Sequence, residues 1–251
     1  MQTENRLTIP MSGTGSAGME TCFVNLVEPG DRVLVLINGV FGTRMSDVAG
    51  RLGAQVDALE FKWGLPVDLD AVQKKLQGND YKIVAVVHAE TSTGVCNPVA
   101  EIGKLVKDAG ALFLVDAVTS LGGMPVETDE WGIDALYSGS QKCLSCPPGL
   151  APVSFSDAAL QKLQARESKV PNWYLDLSLI VNYWQGAKRS YHHTAPVNML
   201  YAFYQSLKLI SDEGTEAVYA RHKAAHEELV SSLAELGLEM LCEPDYRLPM
   251  L

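Results

Sequence analysis

The sequence is short of positive charge. Its 251 residues carry 20 Lys and Arg against 30 Asp and Glu, a formal net charge of −10. Proteins that bind nucleic-acid phosphates carry basic stripes, and none is present here. No uninterrupted apolar stretch approaches the roughly 18 residues that indicate a transmembrane helix. We therefore expect a globular protein that binds neither nucleic acid nor membrane.

Cysteine is also scarce, and its number is odd. Five scattered thiols are typical of a reducing compartment, so we expect a cytoplasmic protein, or a peroxisomal or mitochondrial one in a eukaryote. One C-x-x-C pair is present, whereas a structural zinc site needs a second pair, so no metal site is expected. The cysteines are Cys22, Cys96, Cys143, Cys146 and Cys242.

Apolar segments of strand length alternate with segments of helical period, a pattern typical of parallel βαβ units. The run Ile83-Val84-Ala85-Val86-Val87 is apolar throughout, which predicts burial on both faces of a sheet. We predict an α/β fold with a mostly parallel sheet flanked by helices. The predicted strands are Arg32–Ile37, Gln55–Glu60, Lys82–His88, Ala111–Val115, Ala135–Ser138 and Ala151–Phe155, and the predicted helices are Ala17–Val27, Arg44–Leu52, Leu69–Leu76 and Val99–Asp108.

The pattern changes in the last quarter of the chain. Two long helices are predicted, over Pro196–Ile210 and Thr215–Leu236, with Gly214 near the break between them. A further strand is predicted to begin within Gly237–Leu241. We expect residues 1–213 to form a large domain and residues 214–251 to begin a small carboxyl-terminal domain that is truncated.

Two side chains with chemical potential follow predicted strands. Asp116 ends the run Leu112-Phe113-Leu114-Val115, and Lys142 ends Ser138-Gly139-Ser140-Gln141, just after the strand at Ala135. Ligands gather at the carboxyl ends of strands in an open parallel sheet. A buried lysine amine can form a Schiff base, and a fixed acid can hold a pyridine nitrogen protonated. The pair predicts a pyridoxal 5′-phosphate (PLP) site, against the alternative that Lys142 is an ordinary surface lysine.

A glycine-rich segment, Ser12-Gly13-Thr14-Gly15-Ser16-Ala17-Gly18, precedes a predicted helix. Free backbone N–H groups, the hydroxyls of Thr14 and Ser16 and the positive end of the helix dipole predict a phosphate-binding loop. The segment also matches the G-x-G-x-x-G fingerprint of nicotinamide-dependent enzymes. That alternative needs a buried strand before the loop, but Leu7–Met11 is short and broken by proline. It also needs an acidic residue after the next strand, but Asn38 stands at that position. It is therefore the less favoured interpretation.

With the glycine loop, the aspartate and the lysine in this order, the sequence resembles the class V PLP-dependent aminotransferases. The resemblance runs from about Met11 to Leu248 and is strongest to the alanine–glyoxylate and serine–pyruvate branch. It implies the fold-type I architecture, with residues 1–213 as a PLP-binding domain whose amino-terminal part is missing. The strings that carry it are Ser12-Gly13-Thr14-Gly15, Glu28-Pro29-Gly30-Asp31, His88-Ala89-Glu90-Thr91-Ser92-Thr93-Gly94, Val115-Asp116-Ala117-Val118-Thr119-Ser120-Leu121-Gly122-Gly123, Ser138-Gly139-Ser140-Gln141-Lys142 and Tyr191-His192-His193-Thr194-Ala195-Pro196.

The resemblance implies a role for each matching position. Lys142 would bind the cofactor covalently and then carry the proton of the reaction, while Asp116 would hold the ring nitrogen protonated. Val118 would pack on one face of the ring, and Phe41 on the other, where the family commonly has tryptophan. Thr91 would bond the phenolic oxygen of the cofactor. The phosphate would be bound by Gly15, Ser16 and Gln141.

Tyr191 and Thr194 resemble residues that reach the phosphate of the neighbouring subunit, so a homodimer with composite active sites is expected. In the family, the arginine that binds the substrate carboxylate in a bidentate manner lies beyond the carboxyl end of this sequence. We therefore expect cofactor chemistry without that substrate clamp. None of the arginines in the second half of the chain stands in the matching segment, namely Arg166, Arg189, Arg221 and Arg247.

The expected activity is transfer of an amino group from alanine or serine to glyoxylate or pyruvate. Other class V activities are alternatives, namely a phosphonate-directed aminotransferase or a cysteine desulfurase. Desulfurases usually have a histidine before the lysine, where Gln141 stands here. An inactive, dimerising product is the alternative from a different class, because the carboxylate-binding arginine is absent.

Overall fold

A seven-stranded sheet lies at the centre of the chain in a computed structural model that describes residues 1–185 and 190–251. Arg189 therefore lies outside the described residues. The order across the sheet is β1-β9-β8-β7-β4-β2-β3, and β5 and β6 form a separate short hairpin. The strands are β1 Leu7–Ser12, β2 Arg32–Ile37, β3 Gln55–Glu60, β4 Ile83–Val87, β5 Ala89–Glu90, β6 Val95–Cys96, β7 Leu112–Asp116, β8 Ala135–Tyr137 and β9 Leu150–Phe155.

Strand direction decides which loops meet. Strands β3, β2, β4, β7 and β8 pair in parallel, whereas β9 pairs antiparallel with β8. The edge strand β1 is antiparallel to β9 and therefore runs in the same direction as the parallel set. The loops that follow β1, β2, β4, β7 and β8 consequently leave the sheet at the same edge.

Helices cover both faces of the sheet. One buried apolar cluster includes side chains of α1, α2, α5 and α6, and the other includes side chains of α3, α4 and α7. None of the described helices is long and apolar enough to cross a membrane. The helices are α1 Gly15–Leu26, α2 Val40–Arg51, α3 Leu69–Leu76, α4 Val99–Asp108, α5 Asp157–Gln164, α6 Leu177–Gln185, α7 Val197–Glu213 and α8 Thr215–Glu235.

Strand β2 shows why these runs form central strands. Side chains alternate between the faces of a strand, so Val33 and Val35 enter one apolar cluster while Leu34 and Leu36 enter the other. A strand that buries both faces needs an apolar residue at every position. The predicted α/β fold, with a mostly parallel sheet between helices, is confirmed.

Two predictions about strands are wrong. Gly237–Leu241 forms no strand, and the exposed side chains of Leu238 and Leu241 contribute no buried face. Leu7–Met11, discounted because of its proline, lies within strand β1, Leu7–Ser12. Pro10 is accommodated because β1 is an edge strand, and a residue without an N–H is tolerated where no outer neighbour needs one. β1 nevertheless lies far from β2 in the sheet, so the glycine loop does not belong to a compact dinucleotide-binding βαβ unit.

Gly103 on α4 is expected to be intolerant of a side chain. A methyl group there would overlap the backbone carbonyl of Trp131, which cannot rotate away as a flexible side chain could. We predict that Gly103→Ala lowers the free energy of unfolding by about 3 kcal/mol, as overpacking does, in urea denaturation. The matched control is Gly50→Ala on α2, where a Cβ meets no atom within 4 Å and should stabilise by about 0.5 kcal/mol. Equal effects of the two substitutions would contradict this account.

Candidate functional site

Most of the predicted site residues converge on one pocket at the carboxyl edge of the parallel strands. The pocket has a cavity volume of about 190 Å³, which is smaller than the roughly 300–1,000 Å³ that is usual for small-molecule sites. Thr14 stands beside it, at the start of α1, without lining it. The predicted residues that line the pocket are Gly15, Ser16, Phe41, Thr91, Asp116, Val118, Gln141 and Lys142.

Asp116 places a buried carboxylate in the wall of the pocket. It is the last residue of β7, and its side chain accepts hydrogen bonds from the Val118 amide at 2.8 Å and from the Tyr137 hydroxyl at 2.6 Å. Burial raises the pKa of Asp116 to about 6, although these two hydrogen bonds oppose the shift. When it is ionised, the Asp116 carboxylate can accept a hydrogen bond from a positively charged N–H group in the pocket.

Lys142 stands on the loop between β8 and β9. Ser140 fixes this loop, because its hydroxyl donates to the Pro147 carbonyl at 2.7 Å and its amide donates to the Leu150 carbonyl at 3.0 Å. The expectation of a buried lysine is not met, since Lys142 is exposed in the single chain. The reason is its position at the rim of the pocket, where no other described part of the chain covers it. The amine is thus accessible to a small aldehyde.

The glycine loop brings the amino end of α1 to the pocket. Gly13 adopts a φ of 156°, which favours glycine, and its amide donates to the Gly149 carbonyl at 3.0 Å. The Thr14 side chain does not cap the helix, and the first turn contains no acidic residue. Because the first amides of a helix have no partner within it, Gly15 and Ser16 present N–H groups and the positive dipole end to an anion.

A second buried carboxylate holds the loop that carries Phe41. Glu90 is fully buried and accepts hydrogen bonds from the amides of Phe41 at 3.1 Å and Gly42 at 3.3 Å, at the start of α2. Its other oxygen accepts from the Ser92 hydroxyl at 2.6 Å. A carboxylate at a helix amino end is stabilised by the dipole. This arrangement fixes the half-buried ring of Phe41 in the pocket wall.

Sequence reasoning missed some lining residues, of which Arg44, Thr119 and Tyr137 carry polar side-chain groups. Tyr137 ends the predicted strand before the lysine loop, but nothing in the sequence shows that its hydroxyl reaches Asp116. The Arg44 guanidinium lies 5.1 Å from the centroid of the Phe41 ring. Arg44 lies one helical turn after Phe41 on α2, so the sequence could have predicted that both side chains lie on the same face of the helix. The missed residues are Met19, Arg44, Val87, Ala89, Thr119 and Tyr137.

Tyr191 and Thr194 do not line the pocket of their own chain. Their hydroxyls are 3.0 Å apart, and the Tyr191 side chain is 71% exposed. A polar pair in this position is available to another molecule rather than to the pocket of its own chain. This placement is compatible with the expected contact to a neighbouring subunit.

The cysteine pair lies outside the pocket lining. Cys143 and Cys146 are free thiols, and burial raises the pKa of Cys143 to about 11. A thiol with a raised pKa is a poor nucleophile. Within residues 1–185 and 190–251, no group of three or more His, Cys, Asp and Glu side chains is arranged to hold a metal ion.

The chain is similar to known aminotransferases over almost its whole length. It is 42% identical over 251 residues to alanine–glyoxylate aminotransferase of Oryctolagus cuniculus, covering 99% of this chain and 64% of that protein. It is 36% identical to (S)-ureidoglycine–glyoxylate transaminase of Bacillus subtilis, again covering 99% of this chain and 64% of that protein. The chain thus spans less than two thirds of the length of these relatives.

Solved structures agree with this likeness. The crystal structure of alanine–glyoxylate aminotransferase from Nostoc sp. superposes with a TM-score of 0.96 at 48% identity, covering 99% of this chain and 66% of that one. The fold is that of the fold-type I aminotransferases. The family model for class-V aminotransferases matches residues 1–249. The chain belongs to the class-V aminotransferase family.

Proposed function

We propose that this protein is a PLP-dependent transaminase that transfers an amino group from alanine or serine to glyoxylate or pyruvate. The observation that carries the proposal is the placement of Asp116, Lys142 and the amino end of α1 around one pocket. An acid, an amine and an anion site are the three polar contacts that PLP needs, at its ring nitrogen, aldehyde and phosphate. Membership of the class-V family supports the same conclusion.

The residues that line the pocket fit PLP in their chemistry. Gly15 and Ser16 would bind the phosphate through helix amides, with Gln141 beside them. A side chain at Gly15 would crowd Val118, since an added Cβ lies 3.2 Å from a Val118 methyl group. Val118 and Phe41 would supply apolar walls for the ring, and the Thr91 hydroxyl would bond its phenolic oxygen. Thr14, at the start of α1, would belong to the phosphate-binding loop without lining the pocket itself.

The proposed chemistry divides between two side chains. The bound cofactor would supply an electron sink for the charge left on the substrate when its Cα loses a proton. Lys142 would bind the aldehyde carbon and, once displaced by the substrate amine, move the proton to and from Cα. Asp116 would keep a proton on the ring nitrogen through a charge-assisted hydrogen bond, which requires it to remain a carboxylate. Both residues would therefore be catalytic.

Glyoxylate is proposed as the acceptor of the amino group because similar proteins act with it. Both relatives named above act with glyoxylate but differ in the amino donor, alanine in one and (S)-ureidoglycine in the other. The proposed substrates are small, because the pocket that they would share with the cofactor has a cavity volume of about 190 Å³. Absorbance changes of the loaded protein on addition of alanine, serine and (S)-ureidoglycine in turn would identify the donor. A response to (S)-ureidoglycine alone would contradict the proposed donors.

We further propose a homodimer in which Tyr191 and Thr194 complete the phosphate site of the partner subunit. Tyr201 and Tyr204 on α7 are also exposed, and large exposed apolar groups near one another mark interaction surfaces. The division into a large domain of residues 1–213 and a small domain from 214 onwards is likewise a proposal. It is supported by Gly214, which has a φ of 87° between α7 and α8.

Replacing the lysine tests the cofactor assignment. Lys142→Ala is expected to abolish transamination and covalent trapping of PLP by borohydride, because no amine remains to bind the aldehyde, while noncovalent binding persists. Peptide mass mapping after reduction is the measurement. Lys104→Ala, on the exposed side of α4, is the control and should leave the adduct at position 142 unchanged. Reduced wild-type protein without an adduct on Lys142 would refute the proposal.

Mixing two inactive variants tests the composite site. Lys142→Ala and Tyr191→Ala chains each lack one part of every site, but a hybrid dimer has one site with both parts intact. An equimolar mixture, after subunit exchange, should regain about one quarter of wild-type activity, since about half the dimers are hybrids with one working site of two. Activity that stays at the level of the separate variants, in a mixture whose exchange is verified by mass, contradicts the composite site.

A further inference from the structure

Tyr137 is a buried phenol that the proposed chemistry does not yet use. We infer that Tyr137 is a positioning residue, whose hydroxyl keeps Asp116 a carboxylate aimed at the ring nitrogen of the cofactor. The inference rests on the proposed function and deepens it. Tyr137 acts through Asp116 rather than on the substrate.

The geometry follows from strand pairing. Asp116 and Tyr137 are register partners in the parallel pair β7–β8, so their side chains project on the same face of the sheet. The Ala117 amide donates to the Tyr137 carbonyl at 2.8 Å, and the Ser138 hydroxyl donates to the Ala117 carbonyl at 2.9 Å. Both bonds lie immediately after the pair, one between the two backbones and one from the Ser138 side chain, and they hold the two strand ends together. The phenol has little freedom to leave the carboxylate.

The carboxylate retains capacity for a third donor. Its oxygens accept one hydrogen bond each, from Val118 and from Tyr137, whereas a carboxylate offers about four lone-pair sites. Asp116 and Tyr137 both line the pocket, so a donor in the pocket can reach the free positions. The two protein donors hold the plane of the carboxylate in place. A ring N–H would then meet an oriented acceptor.

The hydroxyl also decides where the shared proton lies. Burial favours the neutral acid and raises the pKa of Asp116 to about 6, while the bond from Tyr137 opposes this shift. Without that bond Asp116 is the stronger base and draws the proton away from the ring nitrogen. Burial and the nearby Asp116 raise the pKa of Tyr137 well above its usual value, so the phenol remains a donor throughout the assay range.

Other groups around Asp116 do not replace the phenol. Glu90 on β5 is negative and raises the pKa of Asp116, whereas Arg44 on α2 lowers it from an exposed position. Cys22 on α1 is buried, and its thiol pKa is raised well above the usual value, so it carries no charge. Tyr137 and the Val118 amide are therefore the donors, among the described residues, that bond the carboxylate directly.

The first test uses cofactor-free protein. Tyr137→Phe removes the hydroxyl alone, and Tyr81→Phe is the matched control, because Tyr81 is also a buried tyrosine that donates to an aspartate, Asp57, away from the pocket. Carboxyl-carbon NMR titration, assigned with Asp116→Asn, should show the Asp116 midpoint rising by about one pH unit in Tyr137→Phe only. An unchanged midpoint overturns the inference.

The second test uses protein loaded with PLP. Tyr137→Phe should lower kcat about tenfold, the scale of one hydrogen bond to a charged group, with KM little changed. In an Asp116→Asn background the same substitution should cost nothing further, because its route through the carboxylate is gone. Losses that simply multiply in the double variant would mean that Tyr137 acts independently of Asp116, and would overturn the inference.

Two further measurements distinguish a failure of the Tyr137 inference from a failure to fold and from a failure of the proposed function. If thermal unfolding shows that Tyr137→Phe does not fold, Tyr137→fluorotyrosine keeps the hydroxyl, strengthens it as a donor and should lower the Asp116 midpoint; no change overturns the inference. Borohydride trapping at Lys142 in wild-type protein tests the proposed function by itself. Failure to trap overturns both proposals, whereas normal trapping with an unchanged Asp116 midpoint overturns only the role of Tyr137.

Discussion

The parallel pairing of β7 with β8 is the constraint on which the site depends. It places the last residue of β7, Asp116, beside the last residue of β8, Tyr137, and starts the loop that carries Lys142 from the same point. The amino end of α1 reaches this edge because two antiparallel pairings, β1 with β9 and β9 with β8, restore the direction of the parallel strands. Asp116, Lys142 and the amino end of α1 thus share an edge of the sheet.

Burying negative charge at this edge has a cost that the fold offsets locally. Asp116 and Glu90 are both almost wholly removed from water, and within residues 1–185 and 190–251 neither forms an ion pair with a lysine or arginine. Each is instead held by hydroxyl and backbone N–H donors, from Tyr137 and Val118 in one case and from Ser92 and the start of α2 in the other. Donors of this kind stabilise a charge without neutralising it, which leaves the charge available to a ligand.

The regular elements of the central sheet were largely predictable. Strands β2 and β3 and helices α3 and α4 have the predicted bounds, because each combines an apolar pattern of one period with clear breaks. Asp68, for example, caps α3 by accepting from the Ala71 amide. Where local rules failed, tertiary context decided. Pro10 fits an edge strand, while Gly237–Leu241 forms no strand and leaves the side chains of Leu238 and Leu241 exposed.

The sequence alone determined the fold class, the family resemblance and most of the pocket, because order along the chain and strand ends suffice to place Asp116, Lys142 and the glycine loop. It could not determine that Lys142 stays exposed in the single chain, nor that Tyr137 donates to Asp116 or that Glu90 caps α2. Those facts depend on pairing register and on the distance between loops far apart in the chain. Only the folded backbone sets the register of the strands and the distance between these loops. A hydrogen bond forms only when its donor and acceptor are about 3 Å apart, and no local sequence pattern encodes a distance between residues that are far apart in the chain.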